Sequence, residues 1–559
     1  MLQQNIMPQT ALSAYPPKSR KPRVCLVTMG SYPHYAGGVS TWCDMLVAGL
    51  PEVSFDILSI TASPGVESLF KMPANVRQVT AVPLWGAGEV LEWQRDLDLS
   101  EVWQHKHNTS ARVIAHLFVP LFRRFLQEVW SAEPDPATYG RTLWEMARYF
   151  ARHDYDVTMR SAAAWDCFMA EGDAGYNAFS ERLGTGTSGR LMDATDTMRL
   201  LYRWLSLLTL PTPRVDVMHT ALAGLCGIPA IVAREGYGIP FLLTEHGVYL
   251  RERLLSLARH QSSTFDQAFQ AQFDWHLTAA CYHYADKITP GSNYNHRWEL
   301  QNGARPEQIQ TIYNGSDPAD FKVGEPLPDD HPPTIVFLGR IDPLKDIETL
   351  IRAAALVHQT APEARFVLYG KAPRGNEWYY EKCLNLRREL GVEDSVEFAG
   401  FAETAESAYH AGDFVVLSSI SEGFPYSVVE AMMCGRTVVG TAVGGVPEAL
   451  AGCGLVVQPR DPHAMAEACL TLINNRELTR ELGEKARHKS LTEFSLQQCN
   501  TAYLQTYRDL WEVSRQRAVA PSLPKRRQTT HLVKYLVARV RWVRRWFHER
   551  TGAGQIALN

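Results

Sequence analysis

Two glutamates in the C-terminal third of the chain are spaced so that both could bind one ligand. Glu422 and Glu430 bracket the sequence Glu-Gly-Phe-Pro-Tyr-Ser-Val-Val-Glu, which follows the apolar run Phe414–Leu417. The pattern predicts a buried strand, a tight turn that carries Glu422, and a helix that carries Glu430 two turns from its start. Gly423 permits close approach of the backbone to a ligand, and the free N–H groups at the start of the helix favour an anion.

The two carboxylates are better suited to hydroxyl groups than to a phosphate, because like charges repel each other. Sugar hydroxyls beside a phosphate are the chemistry of a nucleotide sugar. The alternative interpretation is an acidic first turn that is favoured by the helix dipole, with the second glutamate on a solvated face. The motif alone does not separate these two interpretations.

Other residues with suitable chemistry also follow predicted strands. Gly37 and Gly38 precede a helix predicted to begin near Thr41, where paired glycines would free N–H groups to bind an anion. His246 lies in the charged segment 245–253 and is placed to bond a sugar hydroxyl or to stabilise developing charge. Purely structural roles remain open: a turn for the glycines and packing for the histidine.

Arg340 and Lys345 flank a proline turn after another predicted strand. Both could bind a diphosphate, Arg as a planar fork and Lys as a point charge. Neutralising a leaving diphosphate in a dry cleft would stabilise the transition state, so two cations here would be catalytic. The alternative is a surface ion pair of Lys345 with Asp346 or Glu348.

Length and composition indicate a globular protein of several domains. The chain has 559 residues, 45% of them hydrophobic and 21% charged, and a formal net charge of −4, which argues against bulk nucleic-acid binding. Its ten cysteines are widely spaced, without a C-x-x-C pair or a secretory leader, as is typical of a reduced cytoplasmic protein. No apolar stretch reaches the roughly 18 residues of a membrane span.

Short β-branched runs alternate with helical segments in both halves, which predicts an α/β protein with two doubly wound, parallel-sheet domains. Strands of the first sheet are expected at Arg23–Met29, 53–60, 79–84, 215–219 and 240–244. Those of the second are expected at Thr334–Leu338, Arg365–Tyr369, 396–399, 414–418, 437–440 and Leu455–Val457. Open parallel sheets bind ligands at the carboxyl ends of their strands, so two facing sheets would form a cleft.

The domain boundaries follow from the same pattern. We expect a disordered lead-in, a first Rossmann-like domain with a helical insertion, a second Rossmann-like domain, a helix that returns to the first domain, and a basic linker with an amphipathic helix. These correspond to residues 1–21, 22–325 (insertion about 88–208), 326–495, 496–514 and 515–559.

Residues 525–550 carry nine Lys or Arg and one acid, Glu549, a balance of +8. Apolar residues line one face of the predicted helix, and Trp542 and Trp546 accompany the basic residues. Such a helix suits an anionic membrane surface. Packing on the protein itself or on an acidic partner, such as a membrane synthase subunit, is the alternative.

Taken together, these residues resemble the retaining glycosyltransferase family 4, whose members have the two-domain GT-B fold. The resemblance covers residues 22–515 and is carried by the Glu422/Glu430 spacing, the Arg340/Lys345 pair and the Gly37-Gly38 turn. Within the family, segments 24–42, 244–253 and 343–347 and the long insertion are similar to the PelF-type exopolysaccharide glycosyltransferases. Segments 422–426 and 443–447 are similar to the general family pattern.

The resemblance implies a UDP-hexose donor, a polysaccharide or lipid-linked acceptor, no cofactor and no metal. It implies ribose binding by Glu430, sugar-hydroxyl binding by Glu422, diphosphate binding by Arg340 and Lys345, closure around the sugar by Gly423 and Phe424, donor contacts from Gly37 and Gly38, and a position beside the transferred sugar for His246. The expected location is cytoplasmic, at the inner membrane face. Two alternatives stay open: a UDP-N-acetylhexosamine 2-epimerase and a catalytically silent GT-B scaffold.

Overall fold

The structure, a computed structural model, describes residues 20–86, 98–184, 189–258, 262–325, 327–328 and 330–517. Most of the predicted lead-in and the whole basic segment 525–550 lie outside the described residues.

The strands of the first half form a six-stranded parallel sheet in the order β3-β2-β1-β4-β5-β6. Its strands are β1 Arg23–Met29, β2 Ser54–Thr61, β3 Val76–Pro83, β4 Val217–Thr220, β5 Phe241–Glu245 and β6 Lys287–Pro290. Both faces are covered, because alternate residues of β1 belong to different hydrophobic clusters: Cys25 and Val27 to one, Val24 and Leu26 to the other.

The second half forms another six-stranded parallel sheet, in the order β12-β11-β10-β7-β8-β9. Its strands are β7 Thr334–Leu338, β8 Arg365–Tyr369, β9 Val396–Gly400, β10 Phe414–Leu417, β11 Val438–Thr441 and β12 Leu455–Val457. The two-sheet α/β class that the sequence predicts is therefore confirmed. Strand β6 was not predicted, because it is a four-residue segment, Lys-Ile-Thr-Pro, without a clear periodic pattern.

Helices connect the strands of both sheets. In the first half they are α1 Gly38–Gly49, α2 Leu99–Asn108, α3 Ala111–Val113, α4 Val119–Trp130, α5 Pro136–Phe150, α6 Tyr155–Met159, α7 Ala162–Leu183, α8 Leu191–Leu205, α9 Gly227–Tyr237, α10 Tyr249–Leu257, α11 Thr264–Tyr284 and α12 His296–Gln301. A π-helical turn, Ile114–Phe118, joins α3 to α4. The first helix starts at Gly38, so the prediction of a start near Thr41 was wrong by one turn.

The second half contains α13 Ile347–Thr360, α14 Glu377–Glu389, α15 Ala405–His410, α16 Tyr426–Met433, α17 Val446–Leu450, α18 Pro462–Asn474, α19 Arg476–Glu493 and α20 Leu496–Arg517. The last helix packs against the first sheet, since Tyr503 and Tyr507 share a buried cluster with Val24 and Trp42. The Tyr507 hydroxyl lies 2.7 Å from Nδ1 of His219 on β4.

Helices α2 to α8 lie between β3 and β4 in the chain. The apolar side chains of α4 to α8 join the core of the first half rather than forming a separate one, whereas α2 has no buried residues. Phe125 of α4 lies 6.4 Å from Phe273 of α11 between ring centres, and Trp130 lies 5.6 Å from Phe269. The insertion thus packs onto the first half through α11.

Candidate functional site

The first wall of the candidate site is built at the carboxyl ends of β7 and β10, which are neighbours in the second sheet. Lys345 follows β7 and Glu422 follows β10, and the Lys345 Nζ atom lies 2.6 Å from Glu422 Oε1. The Ser419 hydroxyl donates to the same carboxylate oxygen at 2.5 Å. The side chains of Lys345 and Glu422 are only 16% and 11% exposed.

The alternative partners proposed for Lys345 were wrong. Its ion pair is with Glu422, whereas Glu348 pairs with Lys382 at 2.9 Å. Arg340 lies on the same loop, with Nε 3.1 Å from Asp342 Oδ2, and its side chain remains 63% exposed. The two cations therefore differ: one is held against an acid of the site and the other extends towards solvent.

Glu430 is the fifth residue of α16, which begins at Tyr426. It therefore lies just over one turn from the helix start, and the prediction of two turns was wrong. The Tyr409 hydroxyl donates to Glu430 Oε2 at 2.7 Å. Burial raises the pKa of Glu430, and the hydrogen bond from Tyr409 opposes that shift by stabilising the carboxylate.

Gly423 brings the second half of the protein into contact with the first. A Cβ atom added to Gly423 would lie 1.5 Å from the carbonyl oxygen of His246, so no other residue fits without movement. Beside it, Arg251 donates to the Ser421 hydroxyl at 2.6 Å. A Cβ atom on Gly38 would lie 4.0 Å from the Tyr426 ring. The glycine turn and the glutamate segment therefore face each other across the cleft.

His246 follows β5, and its ring packs edge-on against Trp42 of α1 with 4.4 Å between ring centres. Its Nε2 atom is buried and has no hydrogen-bond partner within the part of the chain that the structure describes. Burial lowers the pKa of His246 to about 4, so the imidazole is neutral near pH 7. A neutral ring with an unpaired nitrogen is suited to a hydrogen bond with a ligand hydroxyl.

Two other charged residues of the segment 245–253 make contacts away from Glu422 and Lys345. Glu245 is buried and accepts a hydrogen bond from the Tyr249 backbone N–H at 2.8 Å. Arg253 pairs with Asp274 at 2.9 Å. Glu245 and Arg253 therefore have structural partners within the fold, and the number of charged residues in this segment is not by itself evidence of a reactive site.

One residue that joins the two halves matches the family pattern in the sequence, but sequence reasoning gave it no role. Glu448 of α17 accepts hydrogen bonds from the backbone N–H groups of Asn293 and Tyr294, at 3.0 and 2.7 Å, and from the Tyr313 hydroxyl at 3.0 Å. Sequence reasoning missed Ser419 and Tyr409, the partners of Glu422 and Glu430. Only Glu448 carried a sequence signal, because it ends the Gly-Gly-Val-Pro-Glu segment of the family pattern.

Within the described ranges, no group of three or more His, Cys, Asp and Glu side chains could hold a metal ion. The helices in those ranges include none that is both long enough and apolar enough to cross a membrane.

The two parallel β-sheets, each covered by helices and facing the other, have the architecture of the GT-B fold. Acidic and basic side chains lie at the carboxyl ends of their strands. The chain belongs to the family described as "Domain of unknown function (DUF3492)", which matches residues 22–307, and its residues 332–475 match "Glycosyl transferases group 1".

Known glycosyltransferases and solved structures are similar to this chain in sequence or in fold. D-inositol 3-phosphate glycosyltransferase of Corynebacterium glutamicum is 30% identical over 202 residues, which are 33% of this chain and 47% of that protein. The chain thus spans about half the length of this curated relative. Sucrose-phosphate synthase of Thermosynechococcus elongatus superposes with a TM-score of 0.56 at 18% identity, covering 88% of this chain and all of that one. Anabaena HepE in complex with UDP superposes with a TM-score of 0.52 at 15% identity, over 87% of this chain and all of that one.

Proposed function

We propose that the protein is a retaining glycosyltransferase that moves a hexose from a UDP-sugar to a polysaccharide or lipid-linked acceptor. The observation that carries the proposal is the grouping of Lys345, Glu422 and Glu430 at one edge of the second sheet, facing His246 of the first. The UDP complex of HepE supports the choice of nucleotide. Residues 22–325 would bind the acceptor and residues 326–495 the donor.

In this proposal, Lys345 and Arg340 bind the diphosphate and neutralise the charge that develops as it leaves. Lys345 is already held at 2.6 Å from Glu422, so the donor would replace part of that ion pair. Glu422 and Glu430 bind hydroxyls of the sugar and the ribose. Backbone N–H groups of Gly423 and Phe424 close around the sugar.

His246 would hydrogen-bond the transferred sugar as a neutral ring, since burial lowers its pKa to about 4. Gly37 and Gly38 would contact the donor from the opposite wall. The acceptor hydroxyl would lose its proton to the leaving phosphate on the same face of the sugar, which retains the anomeric configuration without a covalent glycosyl-enzyme. This arrangement requires no metal or other cofactor.

We further propose that the enzyme has a PelF-type role in exopolysaccharide synthesis at the inner face of the membrane. It is supported by the sequence similarity of segments 24–42, 244–253 and 343–347 and by the basic residues of 525–550. That tail would attach a cytoplasmic enzyme to anionic lipid or to a membrane synthase subunit. Salt-sensitive liposome binding that persists after deletion of residues 520–559 would contradict attachment through the tail.

Incubation of the protein with a panel of labelled UDP- and GDP-sugars, with and without membrane lipid extract, tests the activity. A transferase releases UDP and places label in an acceptor or, slowly, in free sugar. A 2-epimerase would interconvert a UDP-N-acetylhexosamine without an acceptor, and a silent scaffold would release nothing. A double substitution, Arg340→Ala with Glu430→Ala, should abolish release; retained activity would refute the site.

A further inference from the structure

A second cavity lies on the helical insertion, away from the cleft, and has a volume of about 480 Å³. Its size falls within the range of small-molecule binding sites. Three aromatic residues and three arginines contribute to its lining: Trp85, Trp165, Tyr202, Arg160, Arg199 and Arg203. We call this the insertion cavity.

The sheet holds one side of the insertion cavity in place. Trp85 follows the carboxyl end of β3, and its backbone N–H donates to the Ala62 carbonyl at 2.9 Å. Its side chain is nonetheless 44% exposed. Trp165 comes from α7 and Tyr202 from α8, so three separate elements bring aromatic rings to one surface.

Arginine side chains lie over two of these rings. The Arg203 guanidinium carbon lies 5.9 Å from the centre of the Trp85 ring and 5.3 Å from that of Tyr202. Arg160 lies 5.3 Å from the Tyr202 ring on the same surface. The Tyr202 hydroxyl donates to Asp156, and its ring lies against both Arg160 and Arg203, so Tyr202 positions these two arginines in the cavity. The surface thus alternates apolar faces with planar sets of N–H donors.

A pyranose ring has the matching chemistry, because its C–H face is apolar and its edge carries hydroxyl acceptors. Each guanidinium carries several N–H donors, so it can bond ligand hydroxyls in addition to the contacts that Arg160 and Arg199 already make with Tyr202 and Asp196. The position also fits, since β3 lies two strands from β1, about 10 Å along the sheet edge. The loop after β1 carries the glycine turn of the cleft.

We propose that the insertion cavity binds a saccharide segment of the acceptor, with a pyranose ring stacked on the exposed Trp85. The inference rests on the proposed glycosyltransferase function, which it deepens by placing the acceptor chain on the insertion. Acceptor bound here would extend along the sheet edge towards the cleft.

Calorimetric titration of the full chain with maltopentaose, cellopentaose and chitopentaose tests this site. At least one pentasaccharide should bind, and Trp85→Ala should weaken its binding about tenfold. Trp85→Phe, which keeps an aromatic face, should restore part of the affinity. The matched control is Trp103→Ala: Trp103 of α2 is 58% exposed but stacks on His107 and does not line the cavity. Trp103→Ala should bind the pentasaccharide with the same affinity as the wild type.

A titration with UDP on the same samples separates the two proposals. Binding of UDP without binding of any pentasaccharide, or equal pentasaccharide affinity in wild type and Trp85→Ala, would overturn the insertion cavity as a saccharide site. Preferential binding of a single-stranded oligonucleotide at Trp85 would overturn it as well. Pentasaccharide binding that depends on Trp85 in a protein that binds no UDP would support the cavity and refute the transferase proposal.

Discussion

The Lys345 ammonium lies 2.6 Å from the Glu422 carboxylate, so the cation assigned to the diphosphate and the acid assigned to the sugar are partners. Both side chains are largely buried, and each would be costly to leave unpaired. Removal of either member alone would therefore leave the other as an uncompensated charge in the free site. The ion pair also means that the donor diphosphate must compete with Glu422 for Lys345.

The two members of this pair should respond differently to substitution. Lys345→Met should weaken UDP binding about 10- to 100-fold, because a charge-assisted contact is lost and Glu422 remains as an unpaired negative charge. Glu422→Gln should leave UDP binding unchanged or tighter, because it frees Lys345, but should slow sugar transfer. Calorimetry with UDP and a rate assay with UDP-sugar measure the two effects.

Lys345→Arg is the matched control, since it keeps the charge and should retain most of the UDP affinity. Weakening of UDP binding by Glu422→Gln as severe as that by Lys345→Met would show that Glu422 does not compete for the cation.

Gly423 should tolerate no side chain. Gly423→Ala would place a Cβ atom 1.5 Å from the His246 carbonyl oxygen, so one wall of the cleft must move. A displacement of about 1 Å at a reacting centre reduces the rate about 100-fold, and we expect at least that loss of transfer with the fold retained. Transfer rates and circular dichroism check both parts.

Gly172→Ala of α7 serves as the control for this substitution. A Cβ atom there would lie an ordinary 3.7 Å from Phe265, and alanine favours a helix. Normal transfer by Gly423→Ala would mean that the contact between the two halves is absent during turnover.

Glu430 should recognise the ribose. Glu430→Gln removes the charged acceptor that Tyr409 supports at 2.7 Å and should weaken UDP binding about tenfold. The substitution should also reduce the preference for UDP over 2′-deoxy- and 3′-deoxy-UDP. If the variant still distinguishes UDP from both deoxy nucleotides as the wild type does, the ribose assignment is wrong. Tyr409→Phe should show a smaller effect in the same direction.

Acid should destabilise the protein through His246. Burial lowers its pKa from 6.5 to about 4, so on acidification the unfolded chain takes up the proton first. Stability is therefore lost as the pH falls from about 6.5 to about 4. The free energy of unfolding, measured with urea, should fall between pH 7 and pH 5 in the wild type. In His246→Gln this fall should be smaller by about 1–2 kcal/mol.

His219, whose pKa burial also lowers, to about 3, is present in both proteins and so largely cancels in the comparison. An equal decrease in both proteins would contradict a buried, neutral His246.

Local patterns predicted most of the fold. Strands β1, β7, β8 and β12 match their predicted bounds, because each is a short, mostly apolar run that is followed by a glycine or a polar residue. Strand β6 was missed because four residues carry too little pattern. The start of α1 was misplaced because glycine, a poor helix former, occupies its first turn.

Partners across the fold could not be predicted from the sequence. Lys345 has acids nearby in the chain, at positions 346 and 348, but its partner lies 77 residues away, because β7 and β10 are adjacent in the sheet. The burial that keeps His246 neutral depends on Trp42, which lies in α1 at a distant point of the chain. Likewise, the insertion cavity exists only because a strand end and two helices bring their aromatic residues together.

The central claim is that this site binds a nucleotide sugar, and titration with UDP tests it most directly. The wild type should bind UDP with a micromolar dissociation constant of roughly 1–100 μM, as is usual for enzyme substrates. A Lys345→Met, Glu430→Gln double variant should lose binding at least about 100-fold. Absence of UDP and GDP binding by the wild type, or equal UDP binding by the double variant, would contradict the claim.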